Sequence, residues 1–255
     1  MIEENDAKES EETKRPVAGT WNFYWDKPLA RHEHAAVESW INTHTEDFLQ
    51  YKVIQFFAFT QWRALREYAN SKGIKIIGDI PIFVSPDSSD VWANQNFFQL
   101  DADGIPTVVA GVPPDYFSAT GQLWGNPLYD WDALKNAGYS WWKDRIRAAL
   151  NLVDFLRIDH FRGFEAYWAV PYGSENAING EWKPGPGKAL FDAIRADLGD
   201  LPLIAEDLGI ITEEVRALRD GCGFPGMKIL QFGFNPDEFK EGALVNAFLP
   251  HEYAT

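Results

Sequence analysis

The sequence predicts an α/β fold built on a parallel sheet, from three observations. Short apolar runs of β-rich composition alternate with stretches of helical period, the order expected when each strand returns to the same sheet through a helix. Three of these runs end in an acid, Asp79, Asp159 and Glu206. With 45% hydrophobic and 15% aromatic residues in 255, there is ample material for a sizeable core.

Residues 1–20 contain few large apolar groups and are expected to be a solvated acidic tail, leaving 21–255 as the folded part. The pattern turns helical over 40–72. In FFAFTQWRALREYANSKG, Phe59, Trp62, Leu65 and Ala69 recur at spacings of three and four, and Lys72-Gly73 marks a stop. Residues 74–81 form a short apolar run closed by Asp79 and Pro81, the composition of a strand buried in a parallel sheet. From 84 to 139 Gly, Pro, Asp and Asn are dense, and a large irregular insertion is expected, with a hairpin over 99–106 around an Asp-Gly turn. The same DADG opens like a calcium loop but lacks the spaced ligands and the distal Glu, so the turn reading is preferred.

Alternation then resumes. Trp142, Ile146, Ala149 and Val153 mark a helix face leading into the strand 155–159, and a helix over 188–198 precedes the strand 201–207. Thr212 is placed to cap a helix whose first turn carries Glu213 and Glu214, with Gly221 as its end, and a last strand is expected over 227–234. Doubly wound sheets and (β/α)8 barrels both satisfy this order. No G-x-G-x-x-G follows a strand, and Pro184-Gly185-Pro186-Gly187-Lys188 lacks the spacing of a phosphate loop.

A net charge of −15 without a Lys/Arg cluster excludes partners held by electrostatics, namely nucleic acid and anionic membrane, and points to a neutral ligand. No apolar run is long enough to span a bilayer, the first residues are acidic, and one cysteine, Cys222, reads as a small buried hydrophobe. A cytoplasmic protein is expected. His32 and His34 have metal-like spacing without a third ligand, so no metal is implied, and nothing requires a cofactor.

Strands of a parallel barrel point one way, so acids at their ends gather at one mouth. One acid alone would more simply cap a helix; three on one rim, with Arg157 two residues before Asp159, favour function. Asp159 and Glu206 end consecutive strands, and a strand spacing of about 4.8 Å would let their carboxyls approach within roughly 5 to 5.5 Å, the separation of a retaining glycosidase pair. Such chemistry uses an ionised Asp159 to attack the anomeric carbon and a protonated Glu206 to release the glycosidic oxygen. Arg157, on the face of Asp159, would favour the ionised form of that aspartate, and a drier Glu206 would keep its proton longer. His160 alternates to the opposite face and is expected to pack against a helix.

Leu156-Arg157-Ile158-Asp159-His160-Phe161-Arg162-Gly163, with Ile204-Ala205-Glu206-Asp207-Leu208-Gly209 and Gly78-Asp79-Ile80-Pro81, resembles the amylomaltases, the 4-α-glucanotransferases of the α-amylase clan. The stretch from Gly111 to Tyr129 is similar to that family's lid loop over the active site. The resemblance covers nearly everything from residue 50 onward. It implies a partial (β/α)8 TIM barrel of about four central βα units, with 84–139 as an insertion and lid region. It also implies Asp159 as nucleophile, Glu206 as acid/base, Arg157 and Asp79 around the sugar at the cleavage point, and Asp115, Phe117, Trp124 and Asn126 on the lid. The partners implied are maltooligosaccharide or α-glucan donors and acceptors, together with the missing barrel segments of a parent chain. Tyr116 and Tyr129 read better as local core. A lid of aromatic rings that excludes water would make a sugar hydroxyl the acceptor, so that transfer replaces hydrolysis.

The chain departs from the family in showing four strands where a barrel has eight, in lacking the third carboxylate, an aspartate after a histidine, and in having Ala119 where the family often has an acid. The chain alone is therefore expected to be poorly active and prone to association through unpaired sheet edges. A hydrolytic amylase-like enzyme and an inactive glucan-binding fragment are the competing readings.

Overall fold

The computed structural model describes residues 21–115, 118–209 and 211–229. The expected tail and all of the expected last strand beyond Ile229 lie outside these residues, and 227–229 are not in a strand. In chain order the helices are α1 (Trp21–Tyr24), α2 (Lys27–Ala30), α3 (His34–Thr43), α4 (Thr45–Ser71), α5 (Ser89–Ala93), α6 (Trp131–Asn136), α7 (Ser140–Leu150), α8 (Lys188–Leu198) and α9 (Glu213–Cys222). The strands are β1 (Ile77–Pro81), β2 (Val108–Val112), β3 (Gln122–Pro127), β4 (Phe155–Asp159), β5 (Ala166–Pro171), β6 (Glu181–Pro184) and β7 (Leu203–Ala205). The fold is mixed α/β, with one parallel and one largely antiparallel sheet. Among the described residues no helix is long and apolar enough to cross a membrane.

The described residues divide into two compact units, one falling within 1–44, 83–130 and 168–182, the other within 45–82, 131–167 and 183–255. The second is built on a parallel sheet in the order β1-β4-β7, the alternation the sequence predicts. Leu156, Ile158, Leu203 and Ala205 are buried, and α7 and α8 bury Trp142, Ile146, Leu190, Phe191 and Ile194. Phe161 and Phe164, in the turn after β4, pack with Phe191, and Phe161 and Phe191 also meet Phe224. Gly78 in β1 is glycine for want of room: a Cβ there would lie 2.7 Å from Val153 Cγ1.

The strand ends are tied to α4 through Asp154, immediately before β4. Its Oδ1 accepts from Arg66 Nη2 at 3.0 Å, and its Oδ2 accepts from Asn70 Nδ2 and from the Ile76 N–H, both at 2.9 Å. The Ile76 N–H first, then Asn70 and Arg66, hold this carboxyl well below the usual carboxylate range despite its burial. Trp62 Nε1 donates to the Leu152 carbonyl at 2.7 Å. So the turn of α4 that faces the strands carries Trp62, Arg66, Ala69 and Asn70, whereas Phe59 and Leu65, expected on the buried face, are exposed. A helix that is apolar on several sides offers no single stripe, and the polar ties to Asp154 decide its rotation.

Helix α8 runs over the predicted residues. Helix α9 begins after Thr212 as expected but passes through Gly221 and ends at Gly223, whose φ of 72° supplies the left-handed turn that closes a helix.

In the other unit the sheet runs β3-β2-β5-β6. Val109 and Val170 are paired and pack with Ala177. Residues 84–139 are thus less irregular than expected: they contain α5, β2, β3 and α6. Strand β2 pairs antiparallel with β3 on one side and with β5, some sixty residues on, on the other, and a local reading of Gly and Pro density reveals neither pairing. The 99–106 hairpin is present in short form, with Leu100 bridged to Pro106. Asp101 Oδ1 accepts the N–H groups of Asp103 and Ile105, both at 2.9 Å, so this carboxylate serves the turn. Trp21 Nε1 and Trp92 Nε1 donate to the carbonyls of Pro86 and Leu29. Tyr129 is buried against Phe83 and Phe98, as core.

Candidate active site

In a parallel ladder, paired residues project to the same side of the sheet. The register sets Asp79 beside Arg157 and Pro81 beside Asp159, and pairs Ile158 with Ala205, so that Glu206 comes next after β7 at the level of Asp159. The ladder continues one residue further, with the Glu206 N–H donating to the Ile158 carbonyl at 3.1 Å. Asp79, Arg157, Asp159 and Glu206 therefore gather at the carboxyl ends of three adjacent strands, where ligands of parallel α/β folds bind.

Arg157 organises two of the acids. Its Nη1 lies 2.8 Å from both oxygens of Asp79, and its Nη2 donates to Asp159 Oδ1 at 2.6 Å. Its Nε lies 3.1 Å from the Met227 sulfur. One guanidinium thus neutralises much of the repulsion between two neighbouring carboxylates and fixes which oxygen of Asp159 is engaged.

Glu206 is held differently. The His160 N–H donates to Oε2 and the Leu208 N–H to Oε1, each at 2.9 Å. His160 reaches this position with a φ of 56°, a left-handed turn immediately after β4. Burial pushes the Glu206 carboxyl above its usual 4.5; the two N–H donors and Arg157 oppose that and the charge of Asp159 adds to it, with a net rise. One strand end therefore carries an arginine-paired carboxylate and the next a carboxyl that keeps its proton longer, the asymmetry needed for separate attacking and proton-donating roles.

The His160 ring is buried beside Gly163, where a Cβ would lie 2.8 Å from Ile82 Cδ1 and 3.2 Å from His160 Cδ2. Burial, then Arg162, lowers this imidazole to about 4, so it is neutral near pH 7. The site also contains groups the sequence did not single out: Asp207, Met227 and the backbone donors of His160 and Leu208. Backbone donors have no side-chain signature.

The remaining expected residues belong to the other unit. Trp124 in β3 is 37% exposed, and its Nε1 donates to Gln122 Oε1 at 3.1 Å. Asn126 Nδ2 donates to the Val84 carbonyl at 2.9 Å, a tie within its own unit. Asp115 Oδ1 accepts the Ser118 N–H at 2.9 Å. Phe117 and Tyr116 lie outside the described residues. Among the described residues no group of three His, Cys, Asp or Glu side chains is disposed to hold a metal ion.

A sequence profile described as 4-alpha-glucanotransferase matches residues 12–255. The chain is 52% identical over 232 residues to the 4-alpha-glucanotransferase of a Synechocystis strain, an alignment covering 90% of this chain and 45% of that protein. It is 50% identical over 233 residues to the 4-alpha-glucanotransferase of Thermus thermophilus, covering 91% and 45%. Among solved structures it is similar to the amylomaltase from Streptococcus agalactiae in complex with acarbose, with a TM-score of 0.81, 47% identity, and coverage of 86% of this chain and 44% of that one. The chain thus spans a little under half the length of these relatives. On the strand-end acids, the profile and these identities together, the chain belongs to the 4-alpha-glucanotransferase family.

Proposed function

We propose that the chain supplies the two reacting carboxylates of a retaining 4-α-glucanotransferase, and that its β1-β4-β7 sheet is part of a (β/α)8 barrel with residues 84–139 as insertion and lid. The observation that carries this reading is the placement of Asp159 and Glu206 at the same end of adjacent parallel strands, one paired with Arg157 and the other biased by burial toward its protonated form.

Glu206 gives its proton to the glycosidic oxygen of an α-1,4-glucan while Asp159 attacks the anomeric carbon; the C–O bond breaks, the shortened glucan leaves with the proton, and a glycosyl ester forms on Asp159. Arg157 holds Asp159 Oδ1, so the attacking oxygen is Oδ2. The 4-hydroxyl of a second glucan then loses its proton to Glu206 and displaces Asp159, restoring the α configuration and the number of linkages. Asp79, through Arg157, completes the polar surround of the sugar at the cleavage point, and Asp115, Phe117, Trp124 and Asn126 act as lid residues, with the exposed ring of Trp124 as a stacking face for a pyranose. The acarbose complex of the Streptococcus agalactiae amylomaltase supports a maltooligosaccharide-like ligand.

The test is maltotriose incubated with this chain in a polypeptide of its relatives' length. Glucane transfer yields glucose and longer oligosaccharides at constant total reducing ends. A rise in reducing ends assigns hydrolysis instead. Binding without either product, and without a glycosyl adduct on Asp159 by mass spectrometry after an activated fluorosugar, assigns a non-catalytic glucan-binding fragment.

A further inference from the structure

Arg157 uses its Nη atoms on Asp79 and Asp159, and its Nε–H meets a thioether. That sulfur is delivered by a short segment with little freedom. The Ala205 N–H at the end of β7 donates to the Pro225 carbonyl at 2.9 Å, and the Met227 N–H donates to Asp207 Oδ1 at 2.8 Å. Asp207, almost fully buried, is ion-paired through Oδ2 with Arg219. Between these two ties, Gly226 lies so close to the Asp207 carboxylate that any Cβ would collide with it. The residue following the proton-donating Glu206 thus fixes the backbone that places Met227 against the arginine of Asp159.

We propose that Met227 is a positioning residue for Arg157: its sulfur accepts the Nε–H and sets the plane in which the guanidinium presents Nη2 to Asp159. The inference deepens the transferase reading, on which the importance of Asp159 rests. A thioether is a weak acceptor without charge, so it orients the guanidinium without competing with Asp159 for it. A carboxylate at the same place would draw the arginine away.

Methionine occurs only at positions 1 and 227 in this sequence. Biosynthetic replacement of methionine by norleucine therefore removes one relevant sulfur while keeping the side chain's length and shape. The readout is solvent exchange of the Arg157 Nε–H, followed by nitrogen-15 NMR in this chain without substrate. Exchange is expected to be about three- to tenfold faster in the norleucine protein and in Met227→Leu, the range for loss of one modest hydrogen bond. Met227→Gln, which restores an acceptor, is expected to bring it back toward the native rate. Backbone amides of β4 serve as the folding control. Unchanged Nε–H exchange in the norleucine protein, with those amides still protected, overturns the proposal. In the polypeptide of full family length, Met227→Leu is expected to lower kcat several-fold with KM little changed. An absence of transfer activity would remove the transferase reading while leaving the exchange result standing, so the two failures are distinguishable.

Discussion

Asp159 and Glu206 are two neighbouring carboxyls with different surroundings, and the proposed transfer assigns them different roles. Asp159→Asn keeps the size and removes the attacking charge, and is expected to lower transfer by roughly a thousandfold or more in a maltotriose assay. Because Glu206 titrates above 4.5, transfer is expected to fall on the alkaline side as its proton is lost, and Glu206→Gln to abolish that limb together with most of the activity. His160 gives a stability prediction of opposite origin. Its imidazole titrates near 6.5 when unfolded and at about 4 in the folded chain, so the unfolded state binds the proton first. Stability contributed by the neutral ring is full above pH 6.5 and is lost as pH falls toward 4, on the order of 3 kcal/mol in all. Urea unfolding at pH 7 and pH 4.5 measures it, with His160→Asn, which tolerates the left-handed turn, expected to flatten the difference. The acids were legible from sequence because strand ends announce themselves by composition. Met227 was not, since its sulfur is assigned by a contact across seventy residues.

At the level of elements, what could be read from sequence depended on where each element's partners lie. Helix α8 was legible because its apolar face and glycine boundary are local. The rotation of α4 was not, because Asp154 sets it by gripping Arg66 and Asn70 from more than eighty residues away. Asp154→Ala is expected to lower the melting temperature by several degrees in a thermal scan and to loosen α4 in hydrogen exchange, since the Ile76 N–H and two side chains lose their acceptor together. Strands β2 and β3 are not legible locally because their order comes from antiparallel pairing with each other and, for β2, with β5, whereas the glycines within them read as loop. Gly111 illustrates the point: it sits in β2 with its Cα so near the Gln122 carbonyl that a Cβ would come within 2.6 Å of it. What looks like a breaker is a close approach.

Across the whole molecule, strong negative charge coexists with exposed apolar side chains on α4, among them Leu49, Ile54, Phe56 and Phe57. The sheet face that carries the acids also leaves Ile77 61% and Phe155 41% exposed at its base. Charge repulsion of this size keeps such chains apart at low ionic strength, and salt screens it. Sedimentation velocity of the 255-residue chain is expected to show association that rises with salt, and Phe56→Glu together with Phe57→Glu to reduce it. The grip on Glu206 belongs to this scale as well, because it is made of main chain alone. A library that exchanges side chains one at a time leaves both donors in place unless it puts proline at His160 or Leu208, and other sequence drift there leaves them too, so long as the turn survives. The Glu206 carboxyl is thus insured by the path of the polypeptide, and a shift in how the strands are threaded would release it.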